Sequence, residues 1–251
     1  MTNTLTAENS DTPDTTFRSF QLAEPVADNE GAVVGNGVMS FIGGMEPQAK
    51  EDVRNSYQYA SLAADHALRE DPAADGETWY NMFARVMAEL GWVFVKKNYQ
   101  LNTSLSHSFS METAALDVLK AAIAAAALPG PTALKLMEIA KGTVDVLRGN
   151  SEIAGLFDRQ ANKAKRVNFA VCASYQNEHG ETFLSVGTTL FNAEAAITDV
   201  LFSVYESADV KIYQGEASMT LNVPVYDAAR ATVKAELGDL ASTVVRRFPI
   251  R

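Results

Sequence analysis

The 251-residue sequence predicts an α+β fold, an antiparallel sheet of about five strands packed against a layer of about five or six helices in a single domain. Two observations point that way. Apolar residues recur at helical spacing through most of the stretch from 47 to 165, and the period shortens to two over 167–222. Helices and strands are therefore segregated along the chain, which disfavours a doubly wound parallel sheet. A third observation adds a strand. The segment NYQLNTSLSHSF, residues 98–109, alternates almost without a break and carries no formal charge, although 21% of the chain is charged.

Residues 1–31 hold six acidic residues (Glu8, Asp11, Asp14, Glu24, Asp28, Glu30) against Arg18 alone, and are rich in Thr and Asn. That composition predicts a disordered acidic tail, with the domain occupying 32–251. The glycine-punctuated apolar run AVVGNGVMSFIGG (32–44) reads as a short strand or an ordered loop. A helix is expected from Pro47, with Val53, Tyr57, Ala60, Ala64 and Leu68 on one face and Pro72 beyond its end. Thr78 can cap the next helix, whose face is Trp79, Phe83, Val86, Met87, Leu90 and Phe94.

After the 98–109 strand, Ser110 can cap a third helix with Glu112 in its first turn. Pro129, Gly130 and Pro131 turn the chain, and Thr132 caps a fourth helix facing inward through Leu136, Ile139, Thr143 and Leu147. A fifth runs from Ser151 to about Lys165. VNFAVCASY (167–175) and TFLSVGTTLF (182–191) form a hairpin about QNEHGE, and 200–207 with 210–222 reads as a second hairpin. A last helix opens near Pro224, and Gly238 suits its C-cap.

The formal net charge is -10, so the surface as a whole repels nucleic-acid phosphates, and no nucleic-acid partner is expected. The most basic stretch, DRQANKAKR (158–166), places Arg159, Lys163, Lys165 and Arg166 where cations complement a helix C-terminus. Cys172 is the one cysteine, which precludes an intrachain disulfide. The start, MTNTLTAENSDTPDTTF, has neither a basic nor an apolar region of a signal peptide. A cytoplasmic location, or export without a cleaved signal, is expected. The longest apolar stretch, AAIAAAALPGPTAL (121–134), is too short to span a bilayer and is broken by prolines.

No assembled reactive centre is legible. GNGVMS (35–40) matches the first half of a dinucleotide-binding glycine pattern, but no amphipathic helix starts there. His66, His107 and His179 are far apart in sequence, and Cys172 is not at ligand spacing with any of them. His107 falls on the apolar side of its strand and reads as a hydrogen-bonded core histidine. Cys172 has apolar strand neighbours and reads as an inert buried thiol, the alternatives being a nucleophile or a lipid attachment point. The sequon at Asn102 lies inside a strand and reads as chance. Neither a nucleophile elbow nor a P-loop appears. No catalytic, cofactor or metal residue is assigned, and no cofactor is expected.

WYNMFARVMAELGWVF (79–94), FLSVGTTLF (183–191) and IYQGEASMTLNVPVYDAARATVKAELGD (212–239) resemble a scattered group of uncharacterised proteins of about this length, over residues 53–250. The marks are WY-x2-F-x6-LGW and MTLN-x3-Y. More loosely, the chain resembles bacterial virulence and insecticidal proteins. The resemblance brings no catalytic residue with it.

The function expected is that of a non-enzymatic toxin or virulence factor, pore-forming in style, with membrane lipid or further copies of the chain as partners. A bilayer-spanning strand needs roughly 9–11 residues, apolar on one side and polar on the other, and 98–109 meets that. The Ala-rich pair 111–148 would be a cover that moves. The alternative is a small-molecule or lipid carrier, or an enzyme, with a pocket between sheet and helices.

Overall fold

A computed structural model describes residues 20–22, 29–70, 75–102, 108–164, 166–192, 198–206 and 212–247. Among them are six helices: α1 (Pro47–Glu70), α2 (Gly76–Glu89), α3 (Met111–Ala125), α4 (Gly130–Arg148), α5 (Ser151–Ala164) and α6 (Val223–Arg247). The strands are β1 (Phe20–Leu22), β2 (Glu30–Val34), β3 (Gly37–Phe41), β4 (Trp92–Asn102), β5 (Ser108–Phe109), β6 (Arg166–Gln176), β7 (Thr182–Asn192), β8 (Tyr205–Glu206) and β9 (Ile212–Leu221). Seven form one sheet in the order β1-β2-β3-β6-β7-β9-β4, while β5 and β8 make a small second one.

The expectation of helices and an antiparallel ribbon after residue 165 agrees with this arrangement, but three features correct it. The sheet is mixed, because β3 pairs parallel with β6, Gly37 opposite Ala170 and Phe41 opposite Ser174. It has seven strands rather than about five. The helices form two layers, not one. Val167, Phe169, Val171 and Ala173 of β6 pack with α3, α4 and α5. Ala170 and Cys172, alternating with them, pack with α1, α2 and α6. A strand covered on both faces reads as a continuous apolar run, and FAVCA (169–173) within VNFAVCASY is such a run. The parallel pair needs a long crossover, which residues 42–165 supply.

Local corrections follow from the same packing. β1 and the start of β2 enter the sheet within the stretch assigned to an acidic tail. The alternating strand begins at Trp92, not Asn98, since the chain reverses at Gly91 (φ +89). Phe94 therefore belongs to β4 rather than to the face of α2. Residues 103–107, expected to continue the strand, lie outside the described residues. Of the expected 200–207 strand, residues 200–203 turn the chain and 205–206 form β8, residue 207 lies outside the described residues, and β9 pairs with β7 and β4 instead. Gly238 does not end α6, which runs on to Arg247.

Caps match the residue types. At α2 the N-cap is Asp75, and Thr78, read from the sequence as the cap, lies three residues later and returns the bond in a capping box, as Thr113 does to Ser110 at α3. Gly130 and Pro131 open α4, two residues before the Thr132 cap read from the sequence.

Candidate functional site

The four strands β6, β7, β9 and β4 are antiparallel neighbours of 10 or 11 residues each. Their side chains divide by strand period. On the side of α1, α2 and α6 the residues are mostly large and apolar: Leu184, Val186 and Leu190 of β7, Ala217, Met219 and Leu221 of β9, and Trp92 of β4. Trp79 of α2 stacks on Phe83 at 5.3 Å, and Tyr80 lies against Tyr99 of β4 at 4.9 Å.

On the side of α3 small and hydroxylated residues line the middle of β7 and β9, while Phe191 and Ile212 at one end of these strands join Met111, Leu119 and Ile123 in an apolar core. Ser185 of β7 and Ser218 of β9 share a hydrogen bond at 3.1 Å, and the Ser218 hydroxyl donates to the Ala122 carbonyl of α3. The Thr189 hydroxyl lies 3.8 Å from the sulfur of Met111. Gly187 lies directly beneath the helix: a Cβ there would sit 2.3 Å from the Leu119 nitrogen and 2.5 Å from the Ala115 carbonyl oxygen. Only a residue without a side chain permits that approach. Farther along this side, Glu216 of β9 pairs with Lys96 of β4 at 3.5 Å.

β4 forms one edge of the sheet, with a register shift between Phe94 and Lys96. Val93 and Val95 are each 58% exposed there. The shift and the two lysines at 96 and 97 are devices that blunt an edge against uncontrolled pairing.

The residues singled out in the sequence do not converge. Cys172 is fully buried in β6, and burial pushes its thiol far above the ordinary range, so it is not a nucleophile in this state. GNGVMS forms the turn between β2 and β3; Tyr57 donates to the Asn36 side chain at 2.9 Å, and a strand follows where a phosphate site needs a helix. His66 and His179 are exposed, and His107 lies outside the described residues. Arg159 is exposed within α5, five residues before its end. Among the described residues, no group of three or more His, Cys, Asp or Glu side chains could hold a metal ion. No helix there is long and apolar enough to cross a membrane.

The two sequence marks do converge, on packing. Trp79, Tyr80, Phe83, Leu90 and Trp92 meet Met219, Leu221 and Tyr226 in one core. The Asn222 amide donates to the Gly91 carbonyl at 2.9 Å. They form the corner where α2–β4 meets β9–α6. The serine and threonine lining under α3 was missed, because short hydroxyl side chains in a strand read equally well as solvent-facing.

No protein family matches the sequence, and no curated protein does. Among solved structures, the chain is similar to the Evf virulence factor, with 10% identity over 83% of this chain and 81% of that one and a TM-score of 0.33. It is also similar to a delta-endotoxin, with 14% identity over 77% of this chain and 87% of that one and a TM-score of 0.34. Both likenesses are weak.

Proposed function

We propose that the protein is a membrane-active, pore-forming-type toxin or virulence factor that acts by insertion and assembly rather than by catalysis. The observation that carries this reading is the seat of α3 on the hydroxyl-lined side of β7 and β9, made by Ala115, Ala122, Gly187, Ser185 and Ser218. The serine–glycine part of this contact buries little apolar area, while Met111, Leu119 and Ile123 of α3 are buried in the core with Phe191 and Ile212, so α3 separates where lipid or further copies of the chain cover those side chains instead. The hydroxyls then meet water, as the lumen side of a β-barrel requires.

The opposite side of the same strands is apolar. Exchanging α1 and α2 for lipid tails there replaces one apolar neighbour with another, at little hydrophobic cost. The strand lengths of 10 and 11 residues match what a tilted bilayer span needs, roughly 9–11 residues. Three or four strands do not close on themselves, so several copies would be needed, joined at edges such as β4. β6 stays with the α3–α5 layer, against which Phe169 and Val171 are buried; Phe191 of β7 and Ile212 of β9 share that core and would have to leave it.

Dye-loaded vesicles test the reading. The native chain is expected to release dye. A paired Ala122→Cys and Ser218→Cys variant, oxidised so that α3 is tied to β9, is expected to release none until a reductant is added. Vesicles that stay intact across lipid compositions and pH values, or leakage unaffected by the closed bridge, would remove it.

A further inference from the structure

The start of α3, the end of α4 and the body of α5 are all touched by one short segment, residues 199–205, which turns Val200 and Leu201 inward and leaves Asp199 and Val204 exposed. Its backbone is gripped from α5: the Asp158 carboxylate accepts from the Asp199 amide at 2.9 Å and from the Val200 amide at 2.8 Å. The Leu201 carbonyl accepts from the Glu112 amide in the first turn of α3, at 3.2 Å. Val200 and Leu201 are 0% and 1% exposed, in the core shared by α3, α4 and α5. Arg148, at the end of α4, pairs with Glu112 and lies over the Phe202 ring at 5.2 Å.

The far end of the segment is tied to the sheet. The Tyr205 ring lies 5.0 Å from Phe191 of β7 and 5.6 Å from Phe109 of β5. Its hydroxyl donates to the Val200 carbonyl at 2.9 Å, folding the segment back on itself. Asp199 holds φ at +56, a left-handed conformation that aspartate adopts more readily than most non-glycine residues and that turns the chain into the segment.

We propose that residues 199–205 are a latch that holds the α3–α4 hairpin closed, with the Asp158 carboxylate as its pin. A carboxylate gripping two backbone amides makes charge-assisted hydrogen bonds, stronger than neutral ones. Their loss frees the Leu201–Glu112 contact, and the first turn of α3 loses the tie that runs through the segment to Asp158 of α5 and, by way of Tyr205, to Phe191. The latch is independent of what the opened cover then does; its link to leakage rests on the membrane reading.

Amide hydrogen exchange read by mass spectrometry on the full chain separates the two. Asp158→Ala is expected to speed exchange across 111–148 about tenfold or more, while α1 and α2 keep their native rates. Tyr205→Phe keeps the ring contacts and deletes only the bond to Val200, and is expected to shift the same peptides in the same direction by less. It also serves if Asp158→Ala does not fold. Unchanged exchange over 111–148 in the folded variants, or uniform acceleration through every element, overturns the latch. With faster exchange over 111–148, accelerated dye release supports both proposals. The same exchange pattern without dye release from any variant or the native chain keeps the latch and removes the membrane reading.

Discussion

Gly187 of β7 lies so close beneath Leu119 of α3 that a Cβ would come within 2.3 Å of the Leu119 nitrogen. The obstacle is backbone, which does not swing aside as the end of a side chain does. Gly187→Ala is therefore expected to push α3 away from the sheet, at a cost of about 1–3 kcal/mol. Urea unfolding measures the loss. On the membrane reading the same variant releases vesicle dye faster than the native chain; slower release at unchanged lipid binding would count against a mobile α3.

Asp65 of α1 accepts a hydrogen bond from the Trp79 indole at 2.7 Å. Burial pushes its carboxyl up to about 6, against the pull of the Trp79 bond and of Arg69 and Arg166. The folded state thus holds a proton that the unfolded chain gives up at lower pH. This group's contribution is fully present below about pH 4 and is lost as pH rises towards 6. Asp65→Asn is expected to gain about 2 kcal/mol at neutral pH and nothing at about pH 4. Urea midpoints across that range check it, and a gain of equal size at both ends would show that the carboxyl is not the cause.

Asp52 of α1 is 2% exposed and receives both the Nε and an NH2 group of Arg230 from α6, at 2.8 and 2.6 Å. The same carboxylate accepts from Gln48 at 2.8 Å. Arg230→Met strands a buried charge and is expected to cost about 3–5 kcal/mol. Adding Asp52→Asn should restore most of that, as a double-mutant cycle would measure. A double variant no more stable than Arg230→Met would place the loss in packing of the arginine stem instead.

Gly91 turns the chain from α2 into β4 with φ +89, and a Cβ there would lie 3.0 Å from two carbons of Val225. Gly91→Ala is expected to destabilise by about 1–2 kcal/mol. The near-ultraviolet circular dichroism of Trp92 and Trp79 should shift with it, since both lie in the core at that corner.

Much of the architecture was legible because its signals are local. Ser110 and Thr113 sit at capping spacing and do cap α3. Pro47 does open α1. The β6–β7 hairpin lies within a residue of its alternating runs. What escaped is non-local. Nothing near residue 37 says that it will lie beside residue 170, and the parallel pair depends on that. Nor does a strand's alternation say whether its hydroxyls meet water or a helix; Ser185 and Ser218 are buried because Gly187 lets α3 approach. The latch was missed for the same reason: VLFSVYES has strand-like composition, and its fate is decided by Asp158, distant in sequence.

The side-by-side pairing of β3 with β6 sets an order on how the chain can form. About half the sequence, residues 42–165, separates the two strands, and closing so long a loop is slow. On a ribosome, the β2–β3 ribbon emerges with Val33, Val34, Val38 and Met39 bare, long before the strand that shields it has been made. Newly made chains would pass through a stage with an open apolar edge, when a holding chaperone or a low synthesis rate decides how many escape clumping.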